Sequence, residues 1–197
     1  MIKILFAVAA YLLGSIPTGY LVVRAADRRD IRQFGSRSTG ATNVLRVKGL
    51  KYALPVMAID VLKGFLPAFL ALRLFHDPVL AGIAGFLAVA GHCYPFSIGF
   101  KGGKGMATAM GFFAAVSFWP FALTLAVFVL VIAASRFVSL GSILAVVSFP
   151  VFQLAFRRPA AIIIFGGAVA LLVVARHSAN IQRIVAGTER RLGEKSE

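Results

Sequence analysis

Apolar residues run along this chain in long blocks separated by short polar stretches, and the block lengths predict membrane-crossing helices. Blocks at residues 4–23, 52–74, 79–96, 137–156 and 160–175 each approach the ~20 residues needed to cross about 30 Å of hydrocarbon. The stretch 106–135 is too long for one upright helix and short for two. Trp119-Pro120 lies near its middle, and a proline there predicts two short helices turning at that dipeptide. The expected fold is therefore all-α, a polytopic membrane bundle of seven transmembrane helices in one domain over residues 1–197. No internal repeat and no low-complexity linker divides it. The first apolar block carries no signal-peptide cleavage pattern and is read as a span.

Composition excludes the soluble alternatives. A hydrophobic content of 59% and a mean hydropathy of +0.88 exceed what a single soluble core of 197 residues requires. The formal charge of +14 invites a nucleic-acid reading, but a soluble nucleic-acid binder does not carry successive membrane-length apolar blocks. The basic residues therefore serve topology, lipid headgroups or an anionic substrate. Arg and Lys crowd the segment 24–51 and the tail from 176, and the positive-inside rule places both in the cytoplasm. An odd number of spans with the N-terminus outside satisfies this, although it leaves Arg157-Arg158 outside. The lone cysteine, Cys93, excludes an internal disulfide and reads as a buried thiol.

Four polar segments then share the cytoplasmic face: 24–51, 98–108, 135–139 and the tail. In the first, GSRSTGATNVLR (35–46) combines small residues with the hydroxyls of Ser36, Ser38, Thr39 and Thr42, followed by Asn43 and Arg46. Such a run suits an oxyanion, with Arg46 able to grip phosphate in two-pronged fashion, and it equally suits a solvated loop touching anionic lipid heads. The second, GFKGGKGMAT (99–108), sets Lys101 and Lys104 among glycines just before a helix start. It reads as an anion-binding turn or as a flexible turn with two snorkelling lysines. Because Lys104 is followed by Gly105, it is not a Walker motif. The tail segment RHSANIQRIVAGTE (176–189) places His177 and Asn180 on one helical face, with Glu189 beyond. His177 is the best titratable base, or an ordinary interfacial histidine. Asp60 and Lys63, three residues apart inside a span, predict mutual neutralisation. The three histidines and seven acids show no metal-ligand spacing.

Together these segments closely resemble the PlsY family of membrane acyltransferases. The resemblance begins with GSIPTGY (14–20), passes through GSRSTGATNVLR and GHCYPFSIGFKGGKGMAT (91–108), includes SLGSI (139–143) and closes with RHSANIQRIVAGTE. One departure stands out: the family pattern G-S-G-N-x-G-A-T-N has Gly-Asn where this chain has Arg37 and Ser38. The resemblance implies a seven-helix bundle in the bacterial cytoplasmic membrane with its site facing the cytoplasm. It implies transfer of a long acyl chain from acyl phosphate to glycerol 3-phosphate, giving lysophosphatidic acid, with membrane lipids as surroundings, no cofactor and no nucleic acid. It also implies Ser36, Arg46, Lys104, His177 and Asn180 as the catalytic set. Gly40, Thr42, Asn43, Lys101, Gly102, Gly103, Ser142 and Glu189 would bind substrate phosphate or support its binding.

The chemistry fits such a site. Acyl phosphate is already activated, so the task is to join two anionic reactants and stabilise transition-state charge. With no carboxylate evident to orient His177, a substrate phosphate oxygen is favoured as base, in direct transfer without an acyl-Ser36 intermediate. The H-x-x-x-x-D motif of other glycerolipid acyltransferases is absent, since Ser97 follows His92 and Gln182 follows His177 at that spacing. The rivals are a transporter or flippase for a phosphorylated anion, disfavoured by the missing repeat and one-sided charge, and a lipid-phosphate hydrolase.

Overall fold

The computed structural model describes residues 1–194, and within them ten α-helices, two short 3-10 turns and no strand. Helices α1 (Ile2–Gly14) and α2 (Thr18–Asp27) together make the first membrane-length segment expected at 4–23, with a break between them. The cause is Pro17, which has no N–H to donate and disfavours helical geometry in the residue before it. Beyond α2 come the short α3 (Ala41–Lys48) and the long α4 (Leu50–Phe75). Helix α5 (Pro78–Cys93) is capped by Asp77, whose carboxylate accepts from the Val79 and Leu80 amides and from Lys3 Nζ at 2.8 Å.

The expected turn at Trp119-Pro120 falls slightly earlier. Helix α6 (Met106–Val116) ends at an extended Ser117, and α7 (Phe118–Ser135) carries Pro120 inside its first turn, where a missing N–H costs nothing. Helices α8 (Val138–Ala155), α9 (Ala160–Arg176) and α10 (Ser178–Val185) complete the bundle, with a bend of 59° between the last two. Among the described residues five segments are long and apolar enough to cross a membrane, and a sixth joins them when α9 and α10 count as one bent span. Helix α6 spans only about 16 Å at 1.5 Å per residue, and it lies inside the bundle.

Close crossings explain where α6 sits. Gly64 of α4 faces the Thr108 carbonyl, and Gly111 of α6 faces the Val61 carbonyl, so any side chain at either glycine would strike backbone. Small residues of this kind let helices approach closely where no hydrophobic force separates protein from lipid. Around α6 the core is aromatic: Phe113 and Phe149 stack, and Phe112 is fully buried beside them. A smaller apolar cluster of Val23, Ile31, Val44, Ala53 and Val56 seats α3 against α2 and α4.

The Asp60–Lys63 pair forms as expected, at 2.6 Å and almost completely buried. Lys63 also donates to Thr18 Oγ1 and, at 2.5 Å, to the Ile16 carbonyl exposed by the break between α1 and α2. A buried ammonium is thus satisfied by a broken helix, and the break is pinned to α4. Removing one partner of such a pair leaves a charge without compensation. We predict that Lys63→Met lowers stability by about 3–5 kcal/mol, and that adding Asp60→Asn recovers most of the loss. Denaturation midpoints in micelles measure both; equal stability of Lys63→Met and the parent would contradict this role.

Candidate active site

The first loop is organised by one buried amide. Asn43, on the first turn of α3, donates from Nδ2 to the Phe34 and Ser38 carbonyls at 3.1 and 2.8 Å, and its Oδ1 accepts the Ser36 N–H at 2.8 Å. Asn43 therefore shapes the loop rather than offering its own polar atoms to a ligand. Arg46 lies three residues further on, on the same face of α3. Upstream, Asp30 holds the Arg32 guanidinium at 2.8 Å, and this hydrogen bond keeps the Asp30 carboxyl below the usual carboxylate range. Arg32 in turn donates to the Ile98 carbonyl at 2.8 Å, which fastens the first loop to the second.

In the second loop the glycines have a different job from the one expected. The N–H groups of Gly102 and Gly103 donate to the Cys93 and His92 carbonyls at 3.2 and 3.0 Å, so neither amide is free for phosphate. A side chain at either position would strike His92. They fold the loop tightly back on the end of α5, and Lys101 is left exposed outside the cavity. Gly105, at φ +86, occupies the left-handed region and starts α6. The outcome is that Lys104 is presented inward beside the first turn of α6, whose leading N–H groups lack helical acceptors and favour an anion.

The third segment turns at His177. Its Nδ1 sits 2.7 Å from the Val173 carbonyl. A carbonyl only accepts, so Nδ1 carries the proton and Nε2 is left as the free ring nitrogen. One turn on, Asn180 donates to Glu189 Oε1 at 2.7 Å, and the same oxygen accepts from Ser139 of α8 at 2.7 Å. Arg183 donates to the other Glu189 oxygen at 2.8 Å. Burial pushes the Glu189 carboxyl up, but the hydrogen bonds from Ser139, Asn180 and Arg183 together outweigh it and hold the group below its ordinary range. Arg176 Nε donates to the Gly103 carbonyl at 3.2 Å, which ties this segment to the second loop.

The three segments wall one cavity of about 330 Å³. Ser36, Arg46, Lys104, His177 and Asn180 all line it, as do Gly40, Thr42, Asn43, Ser142 and Glu189. Lys101, Gly102 and Gly103 do not. Among the described residues neither Arg46 nor Lys104 has an ion-pair partner. Burial lowers the affinity of both for their protons, and pushes Lys104 down to about 8. Ser142 donates to the Val138 carbonyl at 2.8 Å. Away from this polar end the cavity becomes apolar, walled by Met110 and Ala114 of α6 and by Phe121, Leu125 and Phe128 of α7. Two wall residues had drawn no site assignment from the sequence: Asp60, and His92 with its Nδ1 at 3.6 Å from Asp60 Oδ1. They lie 32 positions apart, and only the packing of α5 on α4 reveals their proximity.

Comparison with known proteins identifies the family. The family model described as glycerol-3-phosphate acyltransferase matches residues 4–187. The chain belongs to that family. A glycerol-3-phosphate acyltransferase of Synechococcus sp. (strain CC9902) is 44% identical over 98% of this chain and 96% of its own length. Another, from Endomicrobium trichonymphae, is 40% identical over the same shares. Among solved structures, PlsY (YgiH), an integral membrane glycerol 3-phosphate acyltransferase, superimposes in its glycerol 3-phosphate form with a TM-score of 0.95 at 38% identity, covering 98% of this chain and 96% of that one. Its lysophosphatidic acid form gives 0.90 at 36% identity over the same shares.

The depressed Lys104 pKa carries a sign. The amine is charged below about 8 and neutral above, so the ligand-free cradle loses positive charge as pH rises through that value. We predict that orthophosphate affinity falls across this range, and that Lys104→Arg, whose guanidinium stays protonated, removes the fall. Titration calorimetry from pH 6.5 to 9.5 measures it; identical profiles for the two proteins would contradict the assignment.

Proposed function

We propose that this chain transfers a fatty acyl group from long-chain acyl phosphate to the 1-hydroxyl of glycerol 3-phosphate, releasing lysophosphatidic acid and phosphate as the first acylation of phospholipid synthesis. The observation that carries this reading is a single cavity joining two cations without acid partners among the described residues, Arg46 and Lys104, to an apolar trench between α6 and α7. A molecule with a phosphate at one end and an alkyl chain at the other matches both halves. Long-chain acyl phosphate is such a molecule, and the product keeps the same polarity.

In the reaction the glycerol 1-oxygen attacks the acyl carbonyl carbon and a new ester C–O bond forms. The C–O bond to phosphate breaks, and its electron pair leaves with the phosphate. The hydroxyl proton passes to a phosphate oxygen. Arg46 and Lys104 offset the charge of the phosphates, while Ser36 Oγ and Asn180 position the reactants. His177 Nε2 carries a lone pair and no proton in this tautomer, so it orients the acceptor by accepting a hydrogen bond from its free 2-hydroxyl rather than by donating to phosphate. The Nδ1 partner of His177 is a backbone carbonyl rather than a carboxylate, which supports a substrate oxygen as the base. Asn43 and Glu189 shape the walls, and Gly40, Thr42 and Ser142 complete them.

The proposed topology counts α1 with α2 as the first span and adds α4 to α9, with the short buried α6 among them, for seven. The N-terminus is then outside and the C-terminus in the cytoplasm of a bacterial cytoplasmic membrane. The cationic cavity mouth faces the soluble acceptor, and the trench opens toward lipid.

Purified protein given glycerol 3-phosphate with acyl phosphate, acyl-CoA or acyl carrier protein is expected to yield lysophosphatidic acid with acyl phosphate alone. Arg46→Ala or Lys104→Ala is expected to lower kcat/KM by about 10- to 150-fold, the equivalent of one charge-assisted hydrogen bond worth about 1.5–3 kcal/mol. Product formed from the thioester donors, or near-normal turnover in both variants, would overturn the proposal.

A further inference from the structure

Asp60 and His92 border the cavity but take no part in the reaction derived above. Asp60, in the middle of α4, is almost completely buried, and its Oδ1 is held by Lys63, which is itself fixed to the break between α1 and α2. Asp60 Oδ2 is buried with no hydrogen-bond partner among the described residues, so part of the carboxylate charge acts on its surroundings with little screening. His92, on the last turn of α5, turns its Nδ1 toward this carboxylate at 3.6 Å. A carboxylate only accepts, so Nδ1 carries the proton; the separation is longer than a hydrogen bond, and the attraction orients the ring without bonding it. The opposite edge of the ring meets the second loop. A Cβ on Gly103 would collide with His92 Nε2, so the imidazole is pressed against the Gly103 backbone. The Gly103 amide donates to the His92 carbonyl at 3.0 Å, the Gly103 carbonyl accepts from Arg176 at 3.2 Å, and Lys104 is the next residue.

A line of contact therefore runs from the break between α1 and α2 through Lys63, Asp60 and His92 to the residue beside Lys104. The amides of Gly102 and Gly103 attach the loop to the end of α5 along one edge, and a turn held along one edge can rock about it. The imidazole lies between that loop and the buried carboxylate, where it opposes the rocking. Lys104 carries a long, rotamer-rich side chain, and fixing its backbone restricts the places its ammonium can reach. We propose that His92, oriented by Asp60, is a positioning residue that sets the place of the Lys104 ammonium in the cradle. It acts through Gly103 rather than on the reacting atoms. The buried Asp60–Lys63 pair then has a second purpose beyond holding the helix break, because it gives His92 a fixed charge to face. The proposal rests on the phosphate-cradle reading of Arg46 and Lys104, and not on which acyl donor the protein uses.

Orthophosphate is titrated into the full chain in nanodiscs of zwitterionic lipid from pH 6.5 to 9.5, for the parent, His92→Ala, His92→Asn, Gly103→Ala and the His92→Ala/Gly103→Ala double variant. Lys104 is faced by Arg46 of α3, Arg176 of α9, Arg183 of α10, His177 and Glu189, and all of these stay in every variant. In the parent, burial pushes the Lys104 amine down to about 8. Without the imidazole the loop rocks, the amine takes up water and holds its proton to higher pH. The fall in phosphate affinity is therefore expected to move up by about one pH unit, with affinity at pH 7 weakened about fivefold. His92→Asn keeps an N–H toward Asp60 but withdraws from Gly103, so it preserves the buried polar pair and is expected to show the same shift even where His92→Ala does not fold. Gly103→Ala forces the ring aside and is expected to act likewise, but in the double variant the methyl group enters space the ring has left and weakens binding by less than about a further twofold. A lowered melting temperature with the profile unmoved in the folded His92 variants makes the ring a packing residue only and overturns the proposal. Strict additivity in the double variant overturns it as well. Should Lys104→Ala bind orthophosphate as the parent does, the cradle reading fails and this proposal with it; that arm involves no change at His92, so the two failures are told apart.

Discussion

The carboxylate of Glu189 accepts hydrogen bonds from Ser139, Asn180 and Arg183, and so clasps the C-terminal tail to α8 and α10. Its two oxygens are committed to that clasp, and its charge reaches Arg46 and Lys104 only from a distance, without pairing with either. Arg46 and Lys104, both on the same cavity wall, are therefore left without an acid of their own among the described residues. Holding two half-buried cations together, with no carboxylate in ion-pair contact with either among the described residues, is unfavourable in the empty protein and favourable once an anion arrives. That imbalance is what turns a basic loop cluster into a phosphate cradle.

The rest of the fold keeps the cradle rigid at the boundary of an apolar trench. Backbone contacts lock the segments to one another: Arg32 to Ile98, Arg176 to Gly103, and the glycine amides of the second loop to the end of α5. Beneath them, Lys63 holds the break between α1 and α2, and the glycine crossings of α4 and α6 bring the apolar trench directly under the charged end. Phosphate and alkyl chain can then be bound by one continuous surface, half of it polar and half of it lipid-like.

Much of this was legible in the sequence. Block lengths located α4, α5, α8 and α9 closely, and the spacing of Asp60 and Lys63 announced their pair. The three motif segments do converge on one cavity. What spacing did not reveal was which atoms a residue spends on its own loop. Glycine density at 102–103 looks the same whether amides face a ligand or a carbonyl, and here they face the carbonyls of His92 and Cys93. Asn43 likewise uses both ends of its amide to shape the first loop. The break at Pro17 was hidden because the apolar block runs on past it; the two short helices expected in 106–135 do form as α6 and α7, but the burial of α6 was hidden because hydropathy does not separate a helix facing lipid from one surrounded by protein.

The central claim is that Arg46 and Lys104, far apart in the chain, act on one bound anion. A double-mutant cycle on orthophosphate affinity tests it most directly, using the parent, Arg46→Ala, Lys104→Ala and the combined variant. Two cations on a shared ion are coupled, so the combined loss is expected to differ from the sum of the single losses by more than about 0.5 kcal/mol. Strict additivity within that margin would mean that the two side chains serve separate ions, and would contradict a shared cradle.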